Sequence, residues 1–498
     1  MKLRPIMFVG TCSDAGKSIL NTAFCRIFLQ DGYTPAPFKA QNMSLNSYST
    51  PEGGEIGRAQ AVQAEACRIA PHTDMNPVLL KPSTDQTSQV ILNGRPVGNM
   101  SAREYFRSGN KRQLWEEAVQ AFRRLEKHYN PIVLEGAGSI SELNLRDRDI
   151  TNMRMAREVG AATYLVADID RGGVFASVYG SVMLLPEEER RLIRGILINK
   201  FRGDVSLFDE GRQMIRELTG IPVVGVVPYL KDVHIEEEDS VALASKAVSA
   251  AQGKINVAVV QLCRMSNFTD FNVLEQDPRF HLYYTAAVEE LKKADILILP
   301  GTKNTIADLE LLRSEGIADV LTEAYRNGKK IIGICGGYQM MGRRIDDPEG
   351  VEGGIKSIPG LGLLPLVSVM QSEKVVCQSE FRFKDYPQPC AGYQIHMGQT
   401  YVAEKDLEEV GDELGGFALN TLPDGKREGY LRDKQCWGTY MHGILDNPVV
   451  LNDLARDFGK QPIDGFDYRK FKEEQYDLLA GYVRAAVDMD YIYSTIKL

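Results

Sequence analysis

Short apolar runs recur along this 498-residue chain at intervals filled by helical spacing: Ile6 to Val9, Ile132 to Leu134, Tyr164 to Ala167, Ile196 to Ile198 and Val223 to Val227. Runs of that length read as buried strands, and strands alternating with helical stretches form parallel sheets covered on both faces. After Pro228 an acidic run, Glu236 to Asp239, leads into Ala-, Ser- and Lys-rich sequence that ends near Gly253-Lys254. A second series of strands then begins with Val257 to Leu262, Ile296 to Leu299 and Ile331 to Ile334. At roughly 150 residues per domain the chain is too long for one core. The predicted class is α/β with two doubly wound parallel-sheet domains: 1–235, a linker at 236–254, a second domain at 255–450, and a charged helical segment at 451–498.

The bulk properties exclude several functions. A net charge of −9 opposes a sequence-independent grip on nucleic acid or an anionic membrane. The eight cysteines contain no C-x-x-C pair, so neither a disulfide framework nor a zinc site is indicated, and a reducing compartment fits. Lys2 and Arg4 precede the apolar run Pro5 to Val9, but that run stops at Gly10, and no later segment reaches the ~20 apolar residues of a membrane span. The expectation is a cytoplasmic protein with no nucleic-acid or membrane partner.

The first strand runs into Gly10-Thr11-Cys12-Ser13-Asp14-Ala15-Gly16-Lys17-Ser18, and Ile19, Leu20, Ala23, Phe24, Ile27 and Phe28 then repeat at helical spacing up to Gly32. Strand, loop and helix in that order form a phosphate cradle, here a variant in which Thr11 replaces the leading glycine. Backbone N–H groups along Thr11, Asp14 and Gly16 face the phosphates, Lys17 supplies a cation and Ser18 a hydroxyl for Mg²⁺. Glu135 closes a strand at the carboxyl edge of the sheet, where ligands bind, and is a candidate Mg²⁺ ligand. Glu55 is either a second ligand or a solvated helix-start residue. Asp168, Asp170 and Asn199 end neighbouring strands, with Asn199 either reading a nucleotide base or capping a local turn.

Far downstream, Lys330-Ile331-Ile332-Gly333-Ile334-Cys335-Gly336-Gly337 is an apolar strand running into Gly-x-Cys-x-Gly and then a helix. Small residues on both sides of the cysteine allow a strained turn that presents the sulfur, and the helix N-terminus favours negative charge there. The N–H of Gly336 is one candidate oxyanion donor, with Gly301, in the loop after Ile296 to Leu299, as the second. Of the six histidines, His442 is the preferred general base because it follows a β-like stretch and precedes Gly443; His396 reads as structural or substrate-contacting.

With these motifs, the segments Pro37 to Asn46, Asp74 to Pro82, Val166 to Phe175, Asn199 to Asp204 and Ser266 to Phe271 resemble the cobyric acid synthase family over nearly the whole chain. In that family the first half is similar to dethiobiotin synthetase, whose phosphate loop serves to activate a carboxylate as an acyl phosphate. The second half is a class I-like glutamine amidotransferase with a flavodoxin-like sheet. The resemblance implies ATP and Mg²⁺ as cofactors, and nucleotide or metal contacts at Lys17, Ser18, Lys39 and Glu135. It implies Cys335 as nucleophile, His442 as its base, and glutamine and a corrinoid polycarboxylate as small-molecule partners. The implied reaction amidates the b, d, e and g carboxylates of adenosylcobyrinic acid a,c-diamide, with a homo-oligomer compatible.

Two positions depart from the wider amidotransferase pattern. The acid usually two residues beyond the base is Ile444 here, so a Cys335–His442 dyad is expected, and Gln394 stands where relatives often carry Glu. Free ammonia would protonate in neutral water, so a dry passage between the domains is expected. The rival readings are a related amidoligase, such as cobyrinic acid a,c-diamide synthase, and a non-catalytic P-loop ATPase switch.

Overall fold

A computed structural model describes residues 2–83, 86–101, 108–238, 243, 246–402, 418–463 and 466–498. Six strands form the first sheet: β1 (Ile6–Gly10), β2 (Ala36–Phe38), β3 (Ile132–Glu135), β4 (Ala162–Asp168), β5 (Ile193–Phe201) and β6 (Val223–Pro228). They are parallel throughout, in the order β6-β5-β4-β1-β3-β2. Every residue of β1 and β4 is buried, as expected of strands covered on both faces. The register Phe8↔Glu135 and Gly10↔Val166 sets Glu135 beside the start of the phosphate loop. Helix α1 (Lys17–Gln30) follows that loop and packs Phe24 on Phe8, ring centroids 4.6 Å apart.

The second sheet comprises β7 (Ile255–Val260), β8 (Phe280–Thr285), β9 (Ile296–Leu299), β10 (Lys330–Ile334), β11 (Tyr430–Asp433) and β12 (Cys436–Thr439). Its order is β8-β7-β9-β10-β12-β11, parallel except for the edge strand β11. A long antiparallel hairpin, Leu366–Phe383 with Pro389–Val402, flanks it. The short strand Met441–His442 pairs with Tyr393 and Gln394 of that hairpin, which carries the chain out of β12 and brings His442 over the end of β10.

Three features depart from a plain pair of doubly wound domains. A four-stranded sheet, Gln41–Met43, Val78–Pro82, Thr87–Leu92 and Arg95–Ser101, and a two-stranded ribbon, Ser47–Ser49 with Glu55–Gly57, are inserted after β2. The acidic stretch expected to be linker lies against the first domain through Glu236 to Glu238; residues 239–242, 244 and 245 of that linker fall outside the described residues. Helix α2 (Tyr468–Ala486), the last but one, returns to the first domain, where Leu479 and Val483 share a core with Leu20 and Phe24. There the buried Arg26 donates to Glu473 and Asp477, each at 2.7 Å. Among the described residues no helix is long and apolar enough to cross a membrane.

Candidate functional sites

The loop after β1 bends through Asp14 (φ 55°) and Gly16 (φ 94°). A Cβ on Gly16 would stand 2.0 Å from Asn199 Nδ2, so only glycine fits against that amide. Asn199 Nδ2 donates to Ala15 O at 2.9 Å, and the Thr11 amide donates to Val166 O at 3.0 Å. Both residues therefore brace the loop, and neither is among the residues that wall the cavity in front of it. That cavity, about 610 Å³, is walled by Asp14, Gly16, Lys17, Ser18, Lys39 and Glu135 among others, and its size suits a nucleotide.

Lys17 Nζ donates to Cys12 O and Gly138 O, each at 3.0 Å, and burial lowers its pKa to about 8. Glu135, almost wholly buried, accepts from Lys39 Nζ at 2.7 Å, Ser18 Oγ at 2.9 Å and Gln63 Nε2 at 2.6 Å. Burial alone would raise its carboxyl, but Lys39 and the donated hydrogen bonds hold it below the ordinary range. Asp168 and Asp170 are not among the lining residues and anchor cations, Lys200 at 2.9 Å and Arg202 at 2.6 Å; Lys200 and Arg171 line the wall. Glu236 to Glu238 also line it, with Asn42 Nδ2 donating to Glu238, a contribution that their linker-like composition concealed.

Glu55 is not at this cavity. The Ser47–Ser49/Glu55–Gly57 ribbon turns it toward the second domain, where it is fully buried and accepts from Lys81 Nζ at 2.7 Å, Ser47 Oγ at 2.7 Å and Lys374 Nζ. Its proposed metal role is thereby corrected. Burial would raise its carboxyl, but Lys374 and Lys81 pull it far below the usual carboxylate range.

In the second domain, Cys335 sits at φ 53°, ψ −110° between β10 and the short helix Gly336–Met341. A non-glycine residue pays for positive φ, and such strain concentrates at functional turns. The flanking glycines are required by contact: a Cβ on Gly337 would lie 2.0 Å from Leu299 O, and one on Gly333 would lie 2.4 Å from Met341 Sδ. Gly336 opens the helix, so its N–H has no intrahelical acceptor. Gly301 backs onto the imidazole, its would-be Cβ 3.4 Å from His442 Cε1.

The buried His442 lines the same cavity as Cys335, while its Nδ1 donates to Asp270 Oδ2 at 2.7 Å. Asp270 Oδ1 accepts the Gly443 N–H at 3.1 Å, so both carboxylate oxygens are committed to fixing this ring. Burial would lower the imidazole pKa, but Asp270 and Cys335 outweigh it and raise it to about 10. The expectation of a dyad is overturned: Asp270, from the 3-10 turn Phe268–Phe271, replaces the acid missing at Ile444, which is itself fully buried. Nothing in the local pattern around His442 could have revealed it, because the partner lies 172 positions earlier. The segment Ser266 to Phe271 was distinctive, and its buried aspartate between two phenylalanines was the available signal.

His396 stacks on Tyr440 at 3.7 Å and donates from Nδ1 to Gly398 O at 3.1 Å; burial lowers its pKa to about 4. Gln394 spends its amide on Ser379 Oγ at 3.3 Å. The two sites meet through segment 42–47. Ser47 N donates to Asn267 Oδ1 at 3.2 Å, Phe268 N to Asn46 Oδ1 at 3.0 Å, and Asn46 Nδ2 to Glu238 O at 2.7 Å.

Residues 6–243 match the CobQ/CobB/MinD/ParA nucleotide binding domain, and residues 256–450 the CobB/CobQ-like glutamine amidotransferase domain. Over 99% of both chains, the sequence is 64% identical to a cobyric acid synthase of Parabacteroides distasonis. The chain belongs to the cobyric acid synthase family. A family member from Bacteroides fragilis is 60% identical over 99% of this chain and 98% of that one, and one from Syntrophobacter fumaroxidans is 45% identical over 100% and 99%. Membership makes the protein a ligase-type glutamine amidotransferase with a P-loop nucleotide domain, which accounts for two sites of different chemistry in one chain.

Proposed function

We propose that the protein hydrolyses glutamine at Cys335 and uses the ammonia, with ATP and Mg²⁺, to amidate the b, d, e and g carboxylates of adenosylcobyrinic acid a,c-diamide, giving adenosylcobyric acid. The observation that carries this reading is the Cys335–His442–Asp270 array joined to a phosphate-binding cavity through segment 42–47. Full-length identity to relatives named cobyric acid synthase supports the choice of acceptor.

In this reading His442 takes the proton of Cys335, and the sulfur attacks the glutamine amide carbon. The N–H groups of Gly336 and the Gly301 loop hold the oxyanion. His442 returns the proton to the departing ammonia, a thioester remains, and water assisted by His442 releases glutamate. Asp270 keeps the ring proton on Nδ1, so Nε2 is free to accept from the thiol.

In the first domain, Lys17 and the loop amides hold the phosphates while a carboxylate oxygen of the acceptor attacks the terminal phosphorus of ATP, breaking its bond to the bridging oxygen so that ADP leaves and an acyl phosphate forms. Ammonia then displaces phosphate from the acyl phosphate. The Ser18 hydroxyl and Glu135 carboxylate are adjacent hard oxygen donors of the kind that hold Mg²⁺ together with nucleotide phosphates, and the ion, when bound, neutralises developing phosphate charge.

The test is incubation with the a,c-diamide, ATP, Mg²⁺ and glutamine, followed by mass spectrometry. Four successive decreases of about 1 Da are expected; an unchanged corrinoid, or conversion that needs no glutamine, refutes the reading. An unchanged a,c-diamide, with amidation only at the a and c positions when the unamidated precursor is supplied in a parallel incubation, would favour the related diamide synthase instead.

A further inference from the structure

Three lysines and a carboxylate surround the reactive sulfur, more charge than cleavage of a neutral amide requires. The small cavity that exposes Cys335 and His442 is also walled by Lys81, Lys303, Lys374 and Glu352. Lys303 and Lys374 come from the second domain, but Lys81 lies in the strand Val78–Pro82 of the first. Lys81 and Lys374 converge on the two oxygens of one buried carboxylate, Glu55, which leaves the cluster with surplus positive charge even before Lys303 is counted. Burial, only partly offset by Glu55, lowers Lys374 to about 7, and burial with the nearby Lys81 lowers Lys303 as well. Cations held at such cost and left short of anions suit an anionic group that arrives with a ligand.

Glu352 lines the same cavity. It accepts the Ile306 N–H at 2.9 Å and the Thr305 hydroxyl at 3.1 Å, and that hydroxyl also reaches Gln339 at 3.2 Å. A cavity with excess lysine charge and one carboxylate matches the two ends of a free α-amino acid. We propose that Lys81 and Lys374 bind the α-carboxylate of the glutamine substrate and Glu352 its α-ammonium, so that the first domain supplies part of the glutamine site.

This assignment rests on the glutaminase reading above and adds to it the groups that select a free amino acid. The cavity, about 50 Å³, has room for only a few waters. Glutamine therefore enters by displacing those waters and shifting the lining side chains, its carboxylate taking up the lysine charge that Glu55 leaves unmatched. Because the lysines come from different domains, the same anion draws the two domains together around the substrate.

The experiment is steady-state glutamate release by the full chain with L-glutamine and with its α-amide, which lacks the carboxylate charge. K81M and K374M are expected to raise KM for glutamine about 10- to 100-fold, the worth of one charge-assisted hydrogen bond, with kcat within about threefold of wild type. Both should also narrow the wild-type preference for glutamine over the α-amide, and K81R should restore part of it. A KM within about twofold of wild type with that preference intact overturns the assignment. Should K81M fail to fold, with Glu55 left one cation short, K374M and the double variant E55Q/K81M carry the same comparison. A wild-type protein that releases no glutamate at all overturns the glutaminase reading itself, a result distinct from unaltered variants.

Discussion

Replacing Asp270 by Asn changes one atom and inverts the logic of the site. The aspartate accepts two N–H groups, His442 Nδ1–H at 2.7 Å and Gly443 N–H at 3.1 Å, whereas an asparagine has a single oxygen for them. If that oxygen stays on Gly443, the new amide N–H₂ faces Nδ1, which must then accept. The ring proton moves to Nε2 and points at the cysteine, so the imidazole can no longer take the thiol proton. The rise of the His442 pKa from 6.5 to about 10 corresponds to about 5 kcal/mol of preference for the imidazolium, shared between Asp270 and Cys335. Losing half or more of it predicts a fall in glutamine kcat/KM of about 10²- to 10⁴-fold. The assay is glutamate release beside ammonium-driven amidation in the same preparation; the second should persist, since the first domain is untouched. Glutaminase activity of D270N within about threefold of wild type would refute the assignment of Asp270 as the third member.

The remaining expectations concern both domains. Cys335→Ala should abolish glutamine-dependent amidation while leaving amidation driven by ammonium salts; loss of both would contradict the division of labour between domains. Glu135→Gln removes the charge that Lys39 and Ser18 address and should depress amidation from either nitrogen source at least about tenfold, while basal glutamate release stays within a few-fold. Gly337→Ala forces a methyl into Leu299 O and should lower stability by about 1–3 kcal/mol or more, read as a lower thermal midpoint. The His442 pKa is raised on folding, so its stabilisation is complete below pH 6.5 and is lost as pH rises toward about 10. Thermal midpoints across that window should fall with pH more steeply for wild type than for D270N, and parallel curves would contradict the His442–Asp270 coupling.

What could be read from sequence divides by distance along the chain. The phosphate loop and the cysteine elbow are local: strand, turn chemistry and helix follow one another within about fifteen residues, and periodicity reveals them. Cys335 and His442 were legible because each sits at a strand end beside glycine. Asp270 was not, because a buried carboxylate 172 positions from its histidine has no local signature. Glu55 was misread for a related reason: a glutamate after two glycines looks solvent-facing or metal-seeking, and only the fold reveals two lysines, one from each domain, closing on it. The return of helix α2 to the first domain depends on pairs such as Arg26–Glu473, 447 positions apart, which no window of helical spacing contains.

The central claim is that nitrogen released at Cys335 reaches the acceptor carboxylate activated beside Lys17. It is tested most directly by supplying amide-¹⁵N glutamine with ATP, Mg²⁺ and the a,c-diamide in the presence of unlabelled ammonium, held at a concentration that drives no measurable amidation without glutamine, and weighing the product. The account predicts a fully amidated corrinoid about four mass units heavier than that made from unlabelled glutamine. A product carrying mainly unlabelled nitrogen, or none formed, would contradict it.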